Sequence, residues 1–258
     1  MSELLLQRRP LWAVYEHIAM VVGLGSLALM CLAWLPFAML LAPLLPPATG
    51  QRLGRQAIMW GFRVYLRVLG AVCGCRFDLS ELDRLQHDGP LIIAANHPSL
   101  LDVVLIVSRL PNVLCVMKTS LMHHPLFGAA ARLAGYIRND GMLQIVQQSR
   151  EALPTGAQVL IFPEGTRTGV FPLGSLTPTL GLITQRSGVP VQTVILEYST
   201  PYLGKAWPLW RKPMLPLRCR ARLGRRFDAP TDHAAFTQTL EAYFRQELSP
   251  PAQAIQHD

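Results

Sequence analysis

The stretch Leu91-Ile92-Ile93-Ala94-Ala95-Asn96-His97-Pro98-Ser99-Leu100-Leu101-Asp102 decides the fold and points to the chemistry. Five consecutive apolar residues, Leu91 to Ala95, have the length and composition of a strand buried on both faces, as in a parallel sheet. The run stops at a histidine. Asp102 follows five positions later, which is off the face of a regular helix, so the chain must turn at Pro98-Ser99, with Pro98 suited to an early helical position. Asp102 can then accept from one ring nitrogen of His97 while the other nitrogen faces a substrate hydroxyl. A His near an Asp is more often a structural pair, and this stretch alone leaves both roles open. A second stretch tips the balance. Val159 to Phe162 is another buried strand, and it ends in Pro163-Glu164-Gly165-Thr166-Arg167, a polar loop whose arginine suits phosphate or carboxylate. Two buried strands, each ending in a polar loop, predict one site at the carboxyl edge of an α/β sheet.

Together the two blocks resemble the glycerolipid acyltransferase family, of the lysophosphatidic acid acyltransferase type. Its signature is a His, four residues and an Asp, here His97 to Asp102 with Asn96 before it, followed by Phe-Pro-Glu-Gly-Thr-Arg, here Phe162 to Arg167. The resemblance runs over roughly residues 75 to 200. It implies a central, mostly parallel sheet flanked by helices, behind an N-terminal helical membrane anchor. It also implies transfer of a fatty acyl group from a thioester, on coenzyme A or acyl carrier protein, to the hydroxyl of a lysolipid, lysophosphatidic acid first among them. In that scheme His97 is the base, Asp102 orients it, and Glu164, Gly165, Thr166 and Arg167 bind the acceptor with Arg138 as a helper. Lys118, at the end of the predicted strand Val113–Met117, stands where the family often has a lysine, although a snorkelling surface lysine reads equally well.

Two blocks depart from the family pattern. In Gly135-Tyr136-Ile137-Arg138-Asn139-Asp140 the arginine precedes the amide and acid instead of following them, and Asp140 is placed to cap a helix over 141–153. Val189-Pro190-Val191 lacks the usual second proline, with Gln192-Thr193 in its place. Both departures keep another lysolipid, such as a lyso-ornithine lipid, as an alternative acceptor. A non-catalytic membrane-binding module is the alternative from a different class, and intact His97 and Asp102 count against it.

The chain has 258 residues, 50% of them hydrophobic, and a net charge of +8. Such a charge serves nucleic acid or an anionic membrane surface, and no zinc-finger spacing, RNA-binding signature or basic arm supports nucleic acid. From Ile18 to Leu45 there is no charged residue, a run too long for a signal peptide and long enough to span a bilayer once. Arg8 and Arg9 precede this segment and Arg52 and Arg55 follow it, so the charge rule favours a hairpin breaking near Pro36 with both ends cytoplasmic, and a single span is the alternative. Residues 51 to 70 read as a basic amphipathic helix, with Arg52, Arg55, Arg63 and Arg67 at lipid headgroups or, alternatively, on a helix packed against the domain. The expected division is therefore an anchoring segment over 1–70, an acyltransferase domain over 71–248 and a flexible tail over 249–258. The expected location is the inner membrane with the catalytic domain on its cytoplasmic face.

Strict alternation in Leu217 to Leu223 predicts a strand with Arg218, Arg220 and Arg222 on one face, solvated or against headgroups. Cys73-Gly74-Cys75 is the one close pair among five cysteines, a weak metal signal read as buried thiols, and no residue is assigned to a metal. The absence of a G-x-S-x-G elbow, a Walker loop or a dinucleotide fingerprint leaves the acyl thioester as the only cofactor-like requirement. Expected partners are membrane lipids, the lysolipid and, as one of the two donor carriers, acyl carrier protein.

Overall fold

A computed structural model describes residues 10–208 and 210–249. Arg8, Arg9 and most of the expected tail lie outside the described residues. The chain begins with helix α1 (Pro10–Leu44) and, after a two-residue reversal, helix α2 (Pro47–Val72). The strands are β1 (Cys75–Asp78), β2 (Leu91–Ala95), β3 (Val113–Lys118), β4 (Ile137–Asn139), β5 (Gln158–Ile161), β6 (Val191–Tyr198) and β7 (Leu217–Phe227). Between them lie α3 (Leu101–Val107), α4 (Thr119–Met122), α5 (Gly128–Leu133), α6 (Met142–Ala152) and α7 (Thr179–Ser187), and α8 (His233–Leu248) closes the domain.

The strands form one sheet in the order β1-β7-β6-β2-β5-β3-β4. Every neighbouring pair is parallel except β6 with β7. The period of two sorts side chains to opposite faces. Leu91, Ile93 and Ala95 of β2 join Leu105 of α3 and Leu66 of α2 in one core. Ile92 and Ala94 join Ile145 of α6, Ile183 of α7 and Leu240 of α8 in the other. Each fully buried Leu or Ile contributes about 1.5–3 kcal/mol, so these two layers hold the sheet flat against its helices. The chain leaving β2 enters α3 on one face, whereas the chain leaving β5 reaches α7 on the other. Neighbouring connections that part in this way leave a crevice at the carboxyl edge.

The anchor differs from the expected hairpin. Helix α1 runs unbroken through Pro36 and Pro43, and the chain reverses at Leu45-Pro46. Pro36 costs one backbone hydrogen bond, but packing holds the helix around it: Trp34 stacks on Phe37 and Ala38 is buried with Ala129 and Leu133 of α5. Pro46 and Pro47 remove two consecutive donors, and Pro47 is suited to start α2. The returning arm is thus α2. The Tyr15 hydroxyl donates to Val72 O, 2.9 Å, and the Cys73 thiol to Ala19 O, fixing the two helices antiparallel. Among the described residues α1 is the one helix long and apolar enough to cross a membrane, and it exposes Leu11, Val14, Ile18, Val21 and Leu29.

Two of the four α2 arginines face the domain. Arg55 is buried and donates to Ala134 O, Asn112 Oδ1 and Gln51 Oε1, and Arg63 Nε donates to Ser108 O. Gly54 allows this approach, because a Cβ there would lie 2.7 Å from Ala134 N. Arg52 and Arg67 are exposed. Two of the arginines on the face of β7 are likewise spent on ion pairs. Arg220 meets Asp78 and Glu81, and Arg222 meets Glu197 and Glu247. Cys73 and Cys75 are free and buried, and burial pushes the Cys75 thiol up to about 12.

Candidate active site

His97 lies two residues beyond the end of β2, where Pro98 and Ser99 turn the chain into α3. That turn returns Asp102 to the histidine. His97 Nδ1 is 2.8 Å from Asp102 Oδ2. The same oxygen accepts from Ser99 N at 2.8 Å, and Tyr198 O–H, at the end of β6, donates to Oδ1. Two donors other than the imidazole, the Ser99 amide and the Tyr198 hydroxyl, favour the ionised form of this carboxyl group. With Asp102 ionised, Nδ1 carries the imidazole proton and Nε2 keeps a free lone pair. Burial pushes the Asp102 carboxyl up from the usual carboxylate range, and the hydrogen bonds from His97, Tyr198 and Ser99 oppose that shift. Burial and the neighbouring Asp102 charge push the Tyr198 hydroxyl well above its ordinary value, so it stays a donor at neutral pH. The imidazole stacks on Phe162, with ring centroids 3.9 Å apart and planes 17° from parallel. Its plane is set from one side by Phe162 and its rotation by Asp102.

The loop after β5 is organised from within by Glu164. One carboxylate oxygen accepts from His97 N (3.2 Å) and Thr168 Oγ1 (2.7 Å), the other from Gly174 N (2.8 Å). Gly174 is required here, since a Cβ would lie 2.7 Å from Glu164 Oε2. Thr168 N donates to His97 O at 2.7 Å and ties the two loops together. Asn96 is committed as fully: its amide clamps Leu196 of β6 at both N and O. Arg167 Nη1 donates to Leu203 O (2.9 Å) and Gly204 O (2.8 Å), carbonyls of the β6–β7 connection. Gly165 and Thr166 are exposed at the tip of the loop.

Residues 76–197, which hold both loops, match the acyltransferase family. The domain over these residues belongs to that family. Over 237 residues it is 27% identical to a 1-acyl-sn-glycerol-3-phosphate acyltransferase of Pseudomonas aeruginosa, covering 87% of this chain and 89% of the relative. A lyso-ornithine lipid O-acyltransferase of Rhizobium meliloti is 34% identical over 115 residues, 42% of this chain and 37% of the relative. The crystal structure of a 1-acyl-sn-glycerophosphate acyltransferase from Thermotoga maritima superposes with a TM-score of 0.67 at 16% identity, covering 90% of this chain and 96% of that one. This likeness is one of fold. The chain is an O-acyltransferase with a long apolar helix compatible with membrane association.

In this acyltransferase the sequence-derived residues divide by position. His97, Asp102, Glu164 and Arg167 converge on the ends of β2 and β5. Asn96 and Glu164 spend their polar atoms on the scaffold. Lys118 and Arg138 belong to the same edge but sit on β3 and β4, two and three strand positions from β2, about 10 and 14 Å at the usual strand spacing. Both are exposed, and Arg138 pairs with Asp140 at 2.7 Å. Asp140 also takes the Thr119 hydroxyl and does not cap α6, whose N-cap is Gly141 without a side-chain bond. Gln192 lies at the start of β6, on the opposite edge, where its side chain joins Gly224 O and Arg226. That departure from the family pattern is therefore remote from the loops that follow β2 and β5. Tyr198, Ser99 and Phe162 complete the histidine's surroundings; Phe162 belongs to its motif and Ser99 to the expected turn, whereas Tyr198 carried no signal. Among the described residues no group of three or more His, Cys, Asp and Glu side chains could hold a metal ion.

Proposed function

We propose that this enzyme transfers a fatty acyl group from an acyl thioester, on coenzyme A or acyl carrier protein, to the free hydroxyl of lysophosphatidic acid. His97 Nε2 takes the hydroxyl proton as the oxygen attacks the thioester carbonyl. The C–S bond breaks, and the departing thiolate receives the proton from the imidazolium. Asp102 stabilises the charge that develops on the ring, which is why its buried carboxylate and three donors matter. No covalent enzyme intermediate and no further cofactor enter this scheme. Arg167 is the proposed acceptor-phosphate residue. With Nη1 held by two carbonyls, its remaining N–H groups are pre-oriented for an anion. An apolar cavity of about 130 Å³ between α1, α2 and the domain, lined by Met30, Trp34, Ile58, Phe62, Val103 and Met117, offers room for part of an acyl chain. The proposed setting is the inner membrane, with α1 and α2 as anchor and the catalytic edge on the cytoplasmic face.

The observation that carries the choice of acceptor is the relative that matches along nearly the whole of both chains, whereas the lyso-ornithine lipid enzymes match over less than half of this one. Kinetics with lysophosphatidic acid and a lyso-ornithine lipid, each with both donors, test the choice. Arg167→Lys should raise the KM for lysophosphatidic acid by about tenfold, since the charge remains and the fork is lost. The same change should leave a lyso-ornithine acceptor little affected. A wild-type enzyme inactive on lysophosphatidic acid with either donor rejects this acceptor.

A further inference from the structure

Helix α1 contains a single Asp, Glu, Lys or Arg residue, Glu16, and that side chain is buried. A carboxylate within an apolar helix is unfavourable unless paired and hydrogen-bonded, so its partners show what it is there to hold. They are Lys212, which forms an ion pair with Oε2, and Leu215 N, which donates to Oε1 at 3.3 Å. Both belong to the connection between β6 and β7. The same connection supplies the two carbonyls that hold Arg167.

Between these ends the connection is stitched to itself. Trp207 Nε1 donates to Arg211 O at 3.0 Å, and the Arg211 guanidinium lies 4.2 Å from the centroid of the Trp207 ring. Trp207 N donates to Gly204 O at 3.2 Å, the carbonyl that also accepts from Arg167. Trp207 packs edge-on against Tyr202, at 5.8 Å between centroids. Leu203 takes a left-handed backbone, φ 49°, although it is not glycine. Such a conformation persists where its surroundings over-determine it. Here Leu203 O accepts from Leu100 N, just ahead of the helix that carries Asp102, as well as from Arg167. One strained residue thus aligns the proposed acceptor arginine with the start of that helix.

We propose that Glu16 is a positioning residue for the acceptor site, acting from the anchor helix through Lys212 and the β6–β7 connection on the guanidinium of Arg167. The inference rests on Arg167 binding the acceptor phosphate, as proposed above. With the ion pair intact, the connection is pinned at Lys212 and Leu215, and its carbonyls hold Nη1 in place. With it broken, Arg167 keeps its charge but loses its fixed direction, so acceptor binding weakens while the chemistry at His97 does not.

The test is steady-state kinetics on the full chain reconstituted in vesicles, with lysophosphatidic acid and an acyl-coenzyme A. Glu16→Gln and Lys212→Met should each raise the acceptor KM by about fivefold to tenfold, with kcat within about twofold and the donor KM unchanged. Lys212→Arg should restore the wild-type value. In an Arg167→Lys background, Glu16→Gln should add little, because the fork it orients is already gone. An unchanged acceptor KM in Glu16→Gln and Lys212→Met, alongside a raised one in Arg167→Lys, overturns the inference alone. So does a parallel fall of kcat and both affinities in Lys212→Met, which would mark a merely structural ion pair. An unchanged KM in Arg167→Lys overturns the acceptor assignment and the inference with it.

Discussion

The carboxyl ends of β2 and β4 share one edge of the sheet, and both place a cationic or titratable side chain beside an aspartate. At β2 the aspartate is buried, both of its oxygens are occupied by the fold, and the histidine is held in plane and in rotation. At β4 the Arg138–Asp140 pair is 2.7 Å long but its arginine is about half exposed, with 45% side-chain accessibility. Distance alone ranks the two pairs as equals. Burial separates them, because an ion pair in water is worth about 0–1 kcal/mol while a buried one commits every neighbour to its geometry. A short contact thus identifies a site only where solvent has been excluded and the surrounding donors are counted.

Substitutions along this edge should reproduce that ranking. His97→Ala should have the largest effect, a loss of about a hundredfold to ten-thousandfold in turnover in a protein that still folds but is less stable by about 1–3 kcal/mol for want of one donor to Asp102, read by acyl transfer and thermal unfolding of the same preparation. Turnover within tenfold of wild type would remove His97 as the base.

Asp102→Asn should come next, with a loss of about a hundredfold or more and a melting temperature at pH 7 equal to or above that of the wild type. Burial raises the native pKa of Asp102 above its unfolded value of about 3.9, so the native state keeps this proton to higher pH. Its contribution to stability is complete below the unfolded value and is lost as pH rises through the native one. Asparagine removes that loss, so the advantage of the variant should shrink as the pH is lowered toward 4. A variant that is less stable at pH 7 and recovers on acidification would reverse the sign.

Tyr198→Phe leaves Oδ1 of a buried carboxylate without its donor, which costs about 1–3 kcal/mol of stability and should lower turnover by about tenfold. Wild-type activity and stability would show that two donors suffice. The smallest effect is expected at β4. Arg138→Gln should change stability by less than about 0.5 kcal/mol and acceptor KM by less than about twofold. A loss comparable to that of Arg167→Lys would bring β4 into the acceptor site and erase the contrast.

The sequence by itself determined the strands on which the site is built, because the apolar runs 91–95 and 159–162 admit one kind of environment, a strand covered on both faces. It also determined His97 and Asp102, since five residues with a proline turn are enough to bring the two back together. Their pairing is local, and so it was legible locally. The tertiary structure decided which charges are free. Arg55 and Arg63 look like headgroup ligands in an amphipathic pattern, yet they reach Ala134, Asn112 and Ser108, partners more than forty residues away. Glu164 and Asn96 belong to functional motifs and spend their polar atoms inside the scaffold. Tyr198 and Leu203 reach the site from segments about a hundred residues downstream of His97, and no spacing rule encodes such a partner. The place where the anchor turns back depended on packing as well, because the contacts around Trp34 and Ala38 carry the helix past Pro36. Periodicity records what a segment buries, whereas the partner of a polar group is set by whichever distant backbone the fold brings within about 3 Å.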